Sequence, residues 1–379
     1  MSTTDVPKLK RILTFDLMRG YFLLIIILNH LNFYPNGFGW FTMEGRLLVS
    51  AAEGFFLISG IVLGIIRGAK MVDQPFKQVA RLLLKRSLQL YVTIVILVLL
   101  FTFIGWWFYL GNPGLKYNIA PLDTNIFSLI WQTLTLQYSY GWADYLRLYC
   151  WFLLFSPLAL WLLRRGLWYV LMAASVFVWL LFPGASDIPS ATQELLQPLS
   201  WQLIFFGGLT VGFYWPKITQ WWSQLTTRTR RWATWGVVSL AVLTFIVNIF
   251  IAYGGAMLLP IGTILAEQLR EISGTLYRDF FDKEAMPIAR IALFSLWFSA
   301  AFWIFHRFER IIVRAFGWLL LPFGQNSLYV YTLHAFIIFF VHLYFTDTTL
   351  LWNFLISISI IGLILLAIRH KILMKIIPR

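Results

Sequence analysis

Ten apolar runs follow one another along the chain, near 13–34, 48–67, 86–109, 145–163, 167–182, 201–215, 235–258, 289–306, 326–345 and 350–368. A helix needs roughly 17 to 25 such residues to cross the hydrocarbon core of a bilayer. The connections are mostly short, so the runs predict one polytopic bundle rather than several soluble domains. Composition agrees: 60% of the 379 residues are hydrophobic and only 12% are charged, against about 25% charged in a soluble domain. The expected fold is an all-α integral membrane bundle of about ten transmembrane helices, forming one domain over 1–379. The runs at 167–182 and 201–215 are the shortest.

Charge gives the orientation. With the N-terminus in the cytoplasm, 22 of the 30 Lys and Arg residues fall in inner loops, inner helix ends and the two tails. Of the 16 Asp and Glu residues, 11 fall outside. Lys and Arg bias sets membrane orientation, so both termini are expected inside, with 1–11 a cytoplasmic tail. Two outer loops follow, about 110–144 and 255–288. Within the first, 126–140 is too short and polar for a span and reads as an interfacial or re-entrant piece. The second carries "EQLREISGTLYRDFFDKEAMP", a charged stretch suited to a surface helix. The net charge of +14 is explained by these loops and calls for no nucleic-acid partner. "KLKR" precedes the first run without a small-residue cleavage site, so that run is expected to remain as an anchor. Cys150 is the one cysteine, which excludes an intrachain disulfide and a cysteine metal cluster.

Against this apolar background, ionisable residues inside spans are expensive and point to function. The first run, "FDLMRGYFLLIIILNHLNFY", holds Asp16, Arg19 and His30. Arg19 and His30 are 11 residues apart, about 16 Å of helical rise and about 20° short of whole turns. They share a face at different depths, and Asp16 lies three residues from Arg19, where the two can pair. Glu53, near the outer end of the second run, is expected at the depth of His30, where it can hold and orient the imidazole. Interhelical hydrogen bonding is the alternative for each of these groups. Gly60 and Gly64 form a small-xxx-small ridge for close helix packing, and Ser59 beside them is a hydroxyl in reach of the first span.

Later, "GQNSLYVYTLH" sets Tyr331 and His334 three apart on one face, with His334 expected near mid-membrane. They form either a structural pair or part of a catalytic cavity. "QYSYGWADYLRLY" supplies Tyr140, Trp142 and Asp144. Aromatic residues there belong to the interfacial belt or, beside a carboxylate, to a sugar site.

The ordered set "FDLMRG…NH", "SAAEGFFLISGIVLG", "DYLRLYCWFLLFSPLALWLLRRG", "PLSWQLIFFGGLTVG", "KEAMPIARIALF" and "GQNSLYVYTLH" resembles the OpgC family of the acyltransferase type 3 superfamily, over about residues 12–345. The resemblance implies an O-acyltransferase of the bacterial inner membrane. It would move a succinyl or acetyl group from cytoplasmic acyl-CoA to a hydroxyl of a periplasmic glucan. It puts His30 in the catalytic position and Asp16 and Arg19 in the shared first-span motif. Glu53 matches the family's "AE" acid, Trp201 and Gln202 match its "WQ" pair, and Ser327, Tyr329, Tyr331 and His334 match its late motif.

Asp16 and Arg19 are then the expected donor-binding residues, and His30 the catalytic general base with Glu53 beside it; Arg19 and His30 are expected to line a common tunnel. Acyl-CoA is a co-substrate; no tightly bound cofactor and no metal is expected. Membrane lipids are the remaining partners. A transporter or flippase for a glycan or lipid-linked precursor is the competing reading, since it too needs buried charges.

Overall fold

A computed structural model describes residues 12–108, 119–139, 141–181, 190–258 and 262–374. The tail 1–11, Tyr140 and part of each expected outer loop lie outside them. Fifteen α-helices occur among these residues, and no strand. They are α1 (Leu13–Leu31), α2 (Gly39–Thr42), α3 (Ala51–Leu63), α4 (Phe76–Phe108), α5 (Ile126–Leu134), α6 (Asp144–Arg164), α7 (Trp168–Leu180) and α8 (Ser190–Phe213). The remainder are α9 (Trp215–Gln224), α10 (Thr227–Leu258), α11 (Thr263–Phe280), α12 (Ile288–Arg307), α13 (Glu309–Gln325), α14 (Ser327–Tyr344) and α15 (Leu350–Arg369). This is the all-helical, multi-pass architecture that a bilayer imposes, because each helix satisfies its own backbone polar groups.

Each of the ten expected runs is helical. Eight helices are long and apolar enough to cross a membrane: α1, α3 with its continuation to Ala69, α4, α6 with its preceding turn, α10, α12, α14 and α15. The two shortest runs differ. α7 has only 13 residues, about 20 Å of rise against a core of about 30 Å. α8 has 24 residues but starts well before 201, in a sequence with Gln193, Glu194, Gln197 and Pro198. α4 has 33 residues, about 50 Å by the same rise. Its first turns, with Lys77, Arg81, Lys85 and Arg86, therefore project beyond the apolar core.

Glycines set how closely the central helices approach. Gly60 and Gly64 of α3 lie against the α8 backbone at Phe205 and Leu209, and Gly208 and Gly212 of α8 lie against α3 at Leu57 and Ile61. The ridge legible at Gly60 and Gly64 thus meets a matching pair four residues apart on its neighbour, so both surfaces of the crossing are small. A second close crossing joins α1 to α13. A Cβ on Gly20 would strike the Leu320 carbonyl, and one on Gly324 would strike the Asp16 carbonyl. α1 is thereby held between α3 and α13, with α14 along its other side. That clamp fixes the helix carrying Asp16, Arg19 and His30.

Candidate active site

His30 sits in the last turn of α1. The helix stops two residues later at Asn32, whose left-handed backbone (φ 53°) lets its N–H bond the Leu28 carbonyl; Asn tolerates that conformation better than most side chains. From α14 comes His334, fully buried. The His30 Nδ1 to His334 Nε2 distance is 3.0 Å, and His334 Nδ1 bonds the Tyr331 carbonyl.

These contacts determine where the protons lie. A carbonyl only accepts, so His334 Nδ1 carries a hydrogen and donates it. Neutral His334 then offers Nε2 as an acceptor, and His30 Nδ1 donates to it. His30 is left with a bare lone pair on Nε2, the form a general base requires. His30 itself is only half-buried, so the inner imidazole is sealed and the outer one retains access. His334, expected near mid-membrane in a structural pair or a catalytic cavity, joins His30 near the end of α1. It reaches His30 because the α13–α14 break lies beside Asp16 and Gly20, so α14 begins several residues up the length of α1.

Around the pair, the Tyr331 hydroxyl donates to Asp144 Oδ1 at 3.2 Å, which also accepts from the Tyr145 N–H at 2.7 Å. The His30 ring centroid is 6.4 Å from those of Tyr145 and Tyr331. Tyr145 stands 5.5 Å from Trp201 and 5.5 Å from Phe56. The indole Nε1 of Trp201 is buried with no hydrogen-bond partner among the described residues. His334, Tyr331, Asp144 and Trp201 are thus gathered around His30 by α1, α6, α8 and α14.

Glu53 makes contacts other than the expected one with His30. Its Oε1 accepts from Arg290 Nε at 2.7 Å and Nη2 at 2.5 Å. Its Oε2 accepts from the Ser50 N–H at 3.0 Å and from the Ser50 hydroxyl. Both carboxylate oxygens are committed, and neither reaches His30. The cause is local: "SAAE" is a capping box, in which the acid turns back to close its own helix N-terminus. Arg290 in turn donates from Nη1 to the Phe281 carbonyl at 2.6 Å, so the Glu53–Arg290 pair anchors the segment joining α11 to α12.

That segment brings in residues the sequence reading passed over. Lys283 Nζ lies 5.2 Å from the Tyr145 ring centroid, a cation–π distance, and within electrostatic reach of His30. Burial works against its charge, but Tyr145, Glu284 and Asp144 outweigh it and hold the ammonium above the usual lysine range. Burial pushes the Glu284 carboxyl up, with Lys283 partly opposing. Glu284 accepts from Gln197 Nε2, and Gln197 Oε1 accepts from Arg147 Nη2 at 3.2 Å. Lys283, Glu284 and Arg290 stand in "KEAMPIARIALF", one of the motifs behind the resemblance, but their charges in an outer loop gave no sign of burial.

The remaining expected residues lie elsewhere. Arg19 Nη2 donates to the Ile58 carbonyl at 3.4 Å, beside buried Ser59 and on the same helix as buried Asp16; this group lies about 16 Å of rise from His30. Trp142 stacks on His342 at 4.8 Å, and Phe33 closes the other edge of that imidazole at 4.9 Å. His342 is therefore packed inside the bundle. Gln202 turns away from Trp201, accepting from the Ser175 hydroxyl at 2.5 Å and donating to its carbonyl at 2.7 Å. Two large cavities, about 510 and 560 Å³, are lined by neither Arg19 nor His30. Neither is the tunnel expected between them.

No curated protein and no solved structure matches the chain. The sequence model of a family described as OpgC protein matches residues 11–375. With nearly the whole length matched, and with the helices of a multi-pass membrane protein, the chain belongs to the OpgC family of membrane acyltransferases.

Proposed function

We propose that the protein transfers an acyl group, succinyl or acetyl, from cytoplasmic acyl-CoA to a hydroxyl of a glucan on the outer side of the bacterial inner membrane. The supporting observation is the chain His30–His334–Tyr331 carbonyl, which presents the lone pair of His30 Nε2. The acceptor O–H gives its proton to that nitrogen as its oxygen attacks the thioester carbon. The C–S bond then breaks, and the CoA thiolate takes the proton back from His30. No metal and no acyl-enzyme is needed.

Glu53 serves this reaction through Arg290, by holding the segment that carries Lys283. Tyr331 and Asp144 offer hydrogen bonds to the acceptor, and the rings of Tyr145, Tyr331 and Trp201 suit the apolar faces of a sugar. Arg19, with Asp16 beside it, is proposed at the donor end, where a guanidinium suits CoA phosphates. A test is thiol release from acyl-CoA by purified protein, with and without glucan. Acceptor-dependent release supports transfer. Glycan movement without thioester consumption would instead identify a transporter.

A further inference from the structure

We infer that the cavity of about 510 Å³ between α6, α7 and α8 is a binding site for one anionic phospholipid, separate from the histidine pair. Its walls include Trp151, Phe155, Leu158 and Leu162 of α6, Ala174 of α7 and Phe206 of α8. Phe155 and Leu158 are more than half exposed on α6, a helix long and apolar enough to cross a membrane, and Ala174 is exposed on the short apolar helix α7. The cavity therefore opens sideways, and its occupant comes from the bilayer rather than from either aqueous side.

One lining residue breaks the apolar character. Arg147 is 1% exposed and is the one charged residue among the described residues that line the cavity. It stands at the end of α6 that also holds Asp144 and Tyr145. From Arg147 to Leu162 is 15 residues, about 22 Å of rise, roughly three-quarters of a hydrocarbon core of about 30 Å. A slot of that length, apolar along its walls and cationic at one end, has the dimensions and polarity of an extended lipid acyl chain with an acidic headgroup. Phe152 and Phe206 line this slot and His30 does not. Arg147 also hydrogen-bonds Gln197, which bonds Glu284 beside Lys283, so the bound headgroup adjoins the network that reaches the proposed site.

The test is native mass spectrometry of protein released from nanodiscs containing equal parts phosphatidylglycerol and phosphatidylcholine. Wild type is expected to retain one lipid, mainly phosphatidylglycerol. Ala174→Phe and Leu158→Trp fill the slot from different helices, and each is expected to cut retention about tenfold, the change that about 1.4 kcal/mol produces. Arg147→Gln is expected to retain lipid but lose the headgroup preference. Size-exclusion profiles identify misfolded variants, and the two filling substitutions stand in for each other. Unchanged retention in a folded filling variant would overturn the inference. So would undiminished phosphatidylglycerol preference in Arg147→Gln, or displacement of the lipid by acyl-CoA, which would make the slot a donor channel. None of these readouts depends on catalysis, so they fail or succeed independently of the proposed activity.

Discussion

His30 Nδ1 and His334 Nε2 are 3.0 Å apart, joining two residues separated by 304 positions in the chain. The bond fixes the tautomer of His30, because His334 is itself committed to donating to the Tyr331 carbonyl. His334 is thus a positioning residue, acting on the acceptor through His30. His334→Gln keeps an acceptor oxygen for His30 Nδ1 and is expected to retain turnover within about tenfold, whereas His334→Leu removes it and should cost on the order of 10²-fold in kcat. Steady-state thiol release decides. Equal losses in both variants, with both folded, would mean that His334 only fills space.

The Glu53–Arg290 pair makes a prediction about stability. Both partners are buried, and removing one from a buried pair leaves the other charge uncompensated, at a cost of about 3–5 kcal/mol. Glu53→Leu should lower the apparent melting temperature sharply, and Glu53→Leu with Arg290→Met should recover much of it. Melting curves of the single and double variants check this. No recovery in the double variant would show that Glu53 acts chiefly elsewhere.

Lys283 gives a pH dependence whose sign follows from its surroundings. The fold raises its pKa, so the folded chain holds that proton more tightly than the unfolded one. The stabilisation is complete below the unfolded value, about 10.4, and is lost as pH rises past it toward the folded value. The difference in melting temperature between wild type and Lys283→Met should therefore hold steady from about pH 7 to about pH 10 and shrink above that. A difference that shrinks already near neutral pH would contradict the assignment.

Much of the fold was legible because bilayer physics is simple. Each of the ten apolar runs is helical, though only eight helices among the described residues are long and apolar enough to cross, and α13, which clamps α1, lies in none of the runs. Gly60 and Gly64 announced a tight crossing. The partner glycines 208 and 212 stood in the quoted "FFGGLTVG" but were not read as a ridge, since one sequence does not say which helix faces which. The site was legible in part. His30, Tyr331, His334 and Asp144 stood out as polar or aromatic groups in or beside apolar runs, Trp201 came only from the family resemblance, and all five gather around His30 and Tyr145. Glu53 was misplaced because depth along a helix says nothing of rotation, while the capping box in "SAAE" was readable and went unused. Lys283 and Arg147 were hidden for a different reason. A charge near a loop reads as solvated until a neighbouring helix buries it.

The account rests on His30 as the base. Its most direct test is transfer of radiolabelled acyl groups from acyl-CoA to glucan by wild type and by His30→Ala, with both proteins shown to be folded by size exclusion and melting. The expected result is a loss on the order of 10²- to 10⁴-fold in the variant, the usual contribution of a general base. Transfer at the wild-type rate by folded His30→Ala would contradict the mechanism.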